Sequence, residues 1–121
     1  MCMMKVIHFE ILADDPERIA TFYEAVLGWA VDRPDGAEQY WLVDTGPSDV
    51  PGITGGIMAR HFPQPVINTV EVTSLDDVVA KVAAAGGTVM HGPNVIPGVG
   101  THGYFKNPEG NIFGAIQPEA G

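Results

Sequence analysis

The chain opens with an alternation of apolar and polar residues that passes into a helical pattern. The alternation predicts a strand over Val6–Ala13, with Phe9 on a core-facing side and with His8 and Glu10 on the opposite side. Asp14 or Asp15 then caps a helix that Gly28 ends. The apolar positions of this helix have the spacing of one buried face: Ile19, Phe22, Tyr23, Val26 and Leu27. His8 and Glu10 need water, a partner or a ligand on their side of the strand.

The same order of elements is predicted twice. Strands at 29–32, 39–44 and 53–60 follow the first helix, with a turn at 33–38, and the proline-containing segment 61–65 is a linker. A strand at 66–73, a helix from Ser74 to Gly86 and strands at 88–91, 101–106 and 111–117 come next. Because neither half can bury both a helix face and a strand face alone, we expect one α+β domain over 1–121. Its modules are about 5–61 and 66–118, and an irregular α+β domain without internal symmetry is the alternative.

The charge balance excludes some partners. The chain has 15 acidic and 6 basic residues, for a formal net charge of −9, which repels nucleic-acid phosphates and anionic lipid. No apolar run is long enough for a membrane span, and the N-terminus lacks the pattern of a secretion signal. Because Cys2 is the single cysteine, no intrachain disulfide is possible. We therefore expect a cytoplasmic protein that binds neither nucleic acid nor membrane.

Four segments carry a family resemblance: HFEILADDPERIATFYEAVLGW at 8–29, GGIM at 55–58, DDVVAKVAAAGG at 76–87 and GYFKNPEGNIFGAIQP at 103–118. With them the chain resembles the glyoxalase/bleomycin-resistance/dioxygenase group, the vicinal oxygen chelate superfamily, and especially its small glyoxalase-like members. The resemblance implies two tandem βαβββ modules that form a curved eight-stranded mixed sheet around a cleft. It also implies a homodimer, and it places the His8 and Glu10 side of the first strand in the pocket.

The resemblance also bears on metal binding. Metal-using members of this group carry ligands on the first and last strands of each module, and His8 matches one such position. The other matching positions, Ile67, Gly114 and a slot near Gly56, have no donor atoms in their side chains. We therefore expect no cofactor and no catalytic metal. A site rebuilt from His8, Glu10 and Glu71, or from His8 and His102, is the alternative.

The expected function is binding of a small, partly apolar organic molecule in the cleft, as in the bleomycin-resistance members that sequester their ligand. The expected ligand-binding residues are His8, Glu10, Trp41, Met58, Glu71, His102 and Tyr104. One alternative is a lyase or isomerase of the glyoxalase type, with His8 as acid or base and Glu10 or Glu71 beside it, with or without metal. Another is an interaction module without a ligand. The segment 92–100 is either a lid over the cleft or a static crossover.

Overall fold

A computed structural model describes residues 4–35 and 39–119, so Cys2 and part of the predicted turn at 33–38 lie outside the described residues. The first module contains β1 (Val6–Ala13), α1 (Pro16–Leu27), β2 (Ala30–Asp32), β3 (Tyr40–Asp44) and β4 (Thr54–Ala59). The second contains β5 (Val66–Glu71), α2 (Leu75–Ala84), β6 (Thr88–Ile96), β7 (Gly100–Lys106) and β8 (Ile112–Pro118). The predicted α+β fold with two βαβββ modules and mixed strand pairing is confirmed.

The first compact unit covers His8–Ile67. Its strands are ordered β2-β3-β4-β1, with β1 and β4 parallel and the other pairs antiparallel. Helix α1 covers one face of this sheet, where Ala20 packs with the core residues Ala13, Trp41, Val43 and Ile57. Alternation along each strand places His8, Glu10, Tyr40, Gly56 and Met58 on the opposite face, called here the helix-free face.

The second compact unit contains residues up to Ile7 and those from Asn68 onwards. Its strands are ordered β5-β8-β7-β6, and β5 and β8 are parallel. Helix α2 packs through Leu75 on a core that also contains Val72, Phe105 and Ala115. Thr69, His102, Tyr104 and Gly114 therefore lie on the helix-free face of this unit.

Local capping chemistry sets the ends of both helices. The carboxylate of Asp15 accepts a hydrogen bond from the backbone N–H of Arg18 at 3.2 Å, so Asp15 is the N-cap of α1. Gly28, at φ 72°, ends α1 in the left-handed conformation and donates its N–H to the carbonyl of Glu24 at 3.1 Å. Ser74 caps α2 through the N–H of Asp77 at 3.2 Å. Neither helix of the described residues is long and apolar enough to cross a membrane.

The predicted buried face of α1 is partly wrong. Phe22, Val26 and Leu27 are 54%, 59% and 53% exposed, and Ala20 is the one residue of the helix that is fully buried. Ile19 packs on the core and Tyr23 stacks on Trp29 with ring centroids 5.0 Å apart. The apolar stripe of α1 is therefore wider than the strip of sheet that it contacts, a difference that periodicity does not report.

The segment 92–100 is mostly strand. β6 continues to Ile96 and pairs with β7, with register shifts between Val89 and His91 and between His91 and Asn94. Gly92 and Pro93 lie at the second of these register shifts, and Pro97 follows the end of the strand. The short turn that follows is closed by a hydrogen bond from the N–H of Val99 to the carbonyl of Ile96 at 3.0 Å. The segment is therefore strand followed by a hairpin turn between neighbouring strands, and it is not a crossover.

Candidate functional site

A hydrogen bond joins two strands of the first unit that are not neighbours. His8 is on β1 and Tyr40 is on β3, and β4 lies between them. Two strand spacings amount to about 9.6 Å, yet the Nε2 atom of His8 lies 2.6 Å from the hydroxyl oxygen of Tyr40. The phenol ring therefore crosses above β4 to reach the imidazole.

A glycine on β4 makes this crossing possible. A Cβ atom added at Gly56 would collide with the ring and the hydroxyl of Tyr40. Gly56 is opposite Leu42 on β3 and opposite Glu10 on β1, so it lies in the path from Tyr40 to His8. We call this arrangement, in which a ring from one strand crosses a glycine on the next, a crossing ring. Any side chain at position 56 would compete with the Tyr40 ring for the same space.

The environment of His8 keeps its imidazole neutral to lower pH than in water. Partial burial lowers the pKa of His8 from its ordinary value of 6.5, and the charge of Glu10 opposes this effect as the smaller cause. The side chain of Glu10 is itself buried, with 7% exposure. Near neutral pH the site therefore presents a neutral imidazole, which can both accept and donate a hydrogen bond.

The lowered pKa of His8 predicts a loss of stability in acid. As pH falls through about 6.5, His8 takes up a proton in the unfolded chain but not yet in the folded one, so the unfolded state binds more protons. The free energy of unfolding should fall with pH in this window, and the contribution should vanish above it. Urea unfolding from about pH 8 to 5 should show a shallower pH dependence for His8→Gln than for wild type. The matched control His61→Gln, at an exposed histidine of the same unit, should keep the wild-type slope.

A surface depression adjoins the imidazole. It has a volume of about 470 Å³ and is lined by apolar groups, by His8 and by the two acidic residues Asp32 and Asp44. The apolar part of the lining comprises Ala30, Val31, Leu42 and Val43. None of the six basic residues of the chain contributes to it. The depression is suited to a partly apolar molecule without negative charge.

The second unit repeats the crossing ring with different residues. His102 is on β7 and Thr69 is on β5, and Gly114 is on the strand between them. A Cβ atom at Gly114 would lie 2.8 Å from Oγ1 of Thr69 and 3.1 Å from Nε2 of His102. Tyr104 contacts His102 edge to face, with ring centroids 4.6 Å apart, and so restricts the orientation of the imidazole. Both units thus have a glycine in the middle of a strand where neighbouring side chains approach closely, the Tyr40 ring in one and the Thr69 hydroxyl with the His102 ring in the other.

The buried hydroxyl of Thr69 leads to a prediction about stability. Its hydroxyl oxygen is buried and has no hydrogen-bond partner among the described residues, and the residue is 3% exposed. Because an unsatisfied buried hydroxyl destabilises the folded state, Thr69→Val should leave the free energy of unfolding unchanged or raise it by about 1 kcal/mol. Chemical denaturation of this variant beside Thr73→Val, at an exposed threonine, provides the comparison. A clear loss of stability in Thr69→Val alone would contradict the prediction.

The predicted site residues are divided between the helix-free faces of the two units and other positions. His8, Glu10 and Met58 lie on the helix-free face of the first unit, and His102 and Tyr104 lie on that of the second. Glu71 is exposed at the end of β5, where its N–H donates to the carbonyl of Lys5 at 2.9 Å. Tyr40 and Thr69 are absent from the predicted set. The glycines at 56 and 114 are the sequence signal for them, because glycine within a strand often marks a close approach.

The structure corrects the prediction that Trp41 binds the ligand. It lies in the core against α1, away from His8, and its indole N–H donates to the carboxylate of Glu17 at 2.9 Å. This hydrogen bond is the first cause of the lowered pKa of Glu17, and the guanidinium of Arg33 adds to it. Trp41 therefore ties β3 to the helix and does not form a pocket wall. Its neighbours Tyr40 and Leu42 occupy the helix-free face because side chains alternate along β3.

The fold and site define a class: α+β proteins of two βαβββ modules, with polar groups on the helix-free faces. Residues 7–116 match the family model of the glyoxalase-like domain, and the chain belongs to that family. It is 33% identical over 114 residues to CFP32 of Mycobacterium bovis, which is named as a candidate glyoxylase, and to the protein of that name in Mycobacterium tuberculosis. The match covers 90% of this chain but 42% of each relative.

Solved structures agree on the fold. A glyoxalase/bleomycin resistance protein/dioxygenase superfamily member from Vibrio splendidus has a TM-score of 0.66 and 18% identity, over 97% of this chain and 100% of the other. Methylmalonyl-CoA epimerase of Streptomyces coelicolor, in complex with 2-nitronate-propionyl-CoA, has a TM-score of 0.67 and 15% identity, over 98% and 100% of the two chains. At these identities the likeness shows the fold alone.

The side chains do not fit the divalent metal that the superfamily resemblance implies. No group of three or more His, Cys, Asp or Glu side chains within residues 4–35 and 39–119 is arranged to hold a metal ion. Gly56 and Gly114 offer no carboxylate, and a side chain there would meet the Tyr40 ring at position 56 and the Thr69 hydroxyl and His102 ring at position 114. Ile67 is buried and has no donor. A metal site would require different residues at several positions.

Proposed function

We propose that this protein binds a small, partly apolar organic molecule that is neutral or cationic, and that it does so without a catalytic metal. The observation that carries the proposal is the hydrogen-bonded pair of His8 and Tyr40, which belongs to the depression of about 470 Å³ through His8. Apolar side chains in that depression supply contact area, and the neutral imidazole of His8, which the Tyr40 hydroxyl holds in place, supplies a directional hydrogen bond. Thr69 and His102 form the corresponding polar position of the second unit.

The charge of the ligand follows from the lining. Asp32 and Asp44 border the depression, no basic side chain does, and the whole chain has a net charge of −9. A phosphorylated ligand would be repelled both at long range and at the site. A coenzyme A ester, such as the ligand in the structure of the Streptomyces epimerase, is therefore a poor candidate here. An amine or an uncharged ring compound is favoured.

Native mass spectrometry of the protein isolated from its own cells tests the proposal. We expect a noncovalent organic ligand without phosphate and no stoichiometric divalent metal. His8→Gln and Tyr40→Phe should each lose the ligand, whereas the matched control His61→Gln should retain it. A phosphorylated ligand, or a divalent metal that His8→Gln loses, would contradict the proposal. The same spectra report whether the predicted homodimer forms.

A second candidate function is proton transfer, as in a lyase or isomerase. The short contact between His8 and Tyr40 and the lowered pKa of His8 favour it, since a neutral imidazole held by a phenol can act as a general base. Tyr40, rather than Glu71, is then the partner of His8, and Glu10 is the adjacent carboxylate. Incubation of the identified ligand in D2O separates the two functions. Deuterium incorporation that wild type catalyses and His8→Gln does not would indicate catalysis, and its absence would indicate binding alone.

A further inference from the structure

The second unit contains an apolar crevice that shares no lining residue with the depression. It lies between the second half of α2 and the turn that joins β7 to β8, and its volume is about 270 Å³. Its wall is almost entirely carbon, from Met4, Val78, Val82, Ala85, Pro108 and Phe113. At Gly87 a Cβ atom would lie 2.5 Å from the carbonyl oxygen of Lys106, so the glycine lets the end of the helix segment approach β7 closely.

Two lysines border this crevice. Lys81 is on α2 and Lys106 is the last residue of β7, and both contribute to the lining. Because the lining has almost no polar surface, Lys81 and Lys106 contribute to the wall through their methylene groups. Neither ammonium group forms an ion pair with a described residue, whereas Arg33 and Arg60 of the first unit both pair with carboxylates. Lys81 and Lys106 therefore place two positive charges, neither of them in an ion pair with a described residue, beside this crevice, although the chain as a whole has a net charge of −9.

We propose that this crevice binds an anionic amphiphile, of which a straight-chain carboxylate of medium length is the simplest form. The alkyl chain would occupy the carbon-lined wall, where removal of apolar surface from water favours binding. The carboxylate would remain at the mouth, within reach of the ammonium groups that continue from the two lysine stems. Asp77 is four residues before Lys81 on α2 and Glu109 is next to Pro108, but no ion pair joins either carboxylate to the two lysines among the described residues. The volume of about 270 Å³ is enough for a single alkyl chain.

Titration of the full chain with octanoate, followed by backbone amide NMR, tests this proposal. We expect saturable shifts at Val82, Ala85 and Lys106 that weaken as salt is added, because the charged mouth is exposed. Octan-1-ol and octylammonium should bind more weakly than octanoate. Equal affinity for the three probes, or shifts confined to residues outside the crevice, would overturn the proposal. Shifts at His8 report separately on the proposed ligand site of the first unit.

Variants of the lysines separate the charge from the apolar wall. The double variant Lys81→Gln with Lys106→Gln should bind octanoate roughly three- to tenfold more weakly, as expected for two exposed charge pairs. The matched control Lys5→Gln, which removes a lysine of the same unit outside the crevice, should bind like wild type. Ala85→Leu keeps both lysines but fills the crevice, and it should abolish the shifts. Unchanged octanoate affinity in the double variant would overturn the proposal.

Discussion

Gly56→Glu is expected to lower the free energy of unfolding by roughly 1–3 kcal/mol, the usual cost of overpacking. The Glu side chain would need the space that the Tyr40 ring takes when it crosses β4. It would also place a second carboxylate beside that of Glu10, which is directly opposite on β1. Urea denaturation followed by circular dichroism measures the change. The effect is structural in origin, although the substitution introduces a carboxylate near a position where the superfamily resemblance implies a metal ligand.

A double-mutant cycle isolates the crossing ring as the cause. Tyr40→Ala clears the space above position 56, so Gly56→Glu should be much less destabilising in that background. Thr54→Glu adds the same charge two residues earlier on β4, at an exposed position, and should change the free energy of unfolding by less than about 0.5 kcal/mol. If Gly56→Glu costs the same with and without the Tyr40 ring, competition for space is not the reason.

Phe105→Ala is expected to lower the free energy of unfolding by about 3–5 kcal/mol, the range for a large aromatic side chain lost from a core. Phe105 is 0% exposed and stacks on Phe113 with ring centroids 5.5 Å apart, next to Ala115 and Leu75. Thermal unfolding by calorimetry and urea denaturation should both show the loss.

Phe22→Ala is the matched comparison, because it removes the same atoms from a residue that is 54% exposed. We expect a cost below about 1 kcal/mol, since little buried surface is lost. The helical pattern alone ranks Phe22 among the buried residues of α1, so this pair also tests the correction to that pattern. A large loss in Phe22→Ala would show that its face is covered in solution, as the predicted homodimer allows.

The side chains that pack over Gly56 and Gly114 are a structural reason for glycine at both positions, apart from any loss of metal ligands. Gly56 and Gly114 each lie between a ring-bearing strand and a strand with a polar side chain, Glu10 in one unit and Thr69 in the other. In both units the ring belongs to the residue diagonal to the glycine, since Tyr40 is opposite Met58 and His102 is opposite Ile116. At both positions the residue that lacks a carboxylate is also the residue that leaves room for the neighbouring ring.

The sequence alone predicted which side chains of β1 share a face of the sheet. The alternation in β1 assigned Phe9, Ile11 and Ala13 to the core and His8 and Glu10 to the other face, and the structure confirms this division. The same parity, applied to β3, separates Trp41 from Tyr40, but the sequence does not tell which of two adjacent aromatic residues faces the helix. Both are apolar enough for either side, so only the pairing of β3 with β4 decided it.

The chain by itself determined its element order, its helix caps and the absence of donor side chains at positions 56, 67 and 114, because each of these depends on residue type and short-range spacing. Asp15, Gly28 and Ser74 act within a few residues of their own positions. The tertiary structure alone decided that Tyr40 reaches His8 above Gly56, that the Thr69 hydroxyl is buried with no hydrogen-bond partner among the described residues, and that part of α1 is exposed. These features depend on strand register and on the width of the sheet beneath each helix, and both arise from contacts between residues far apart in the chain.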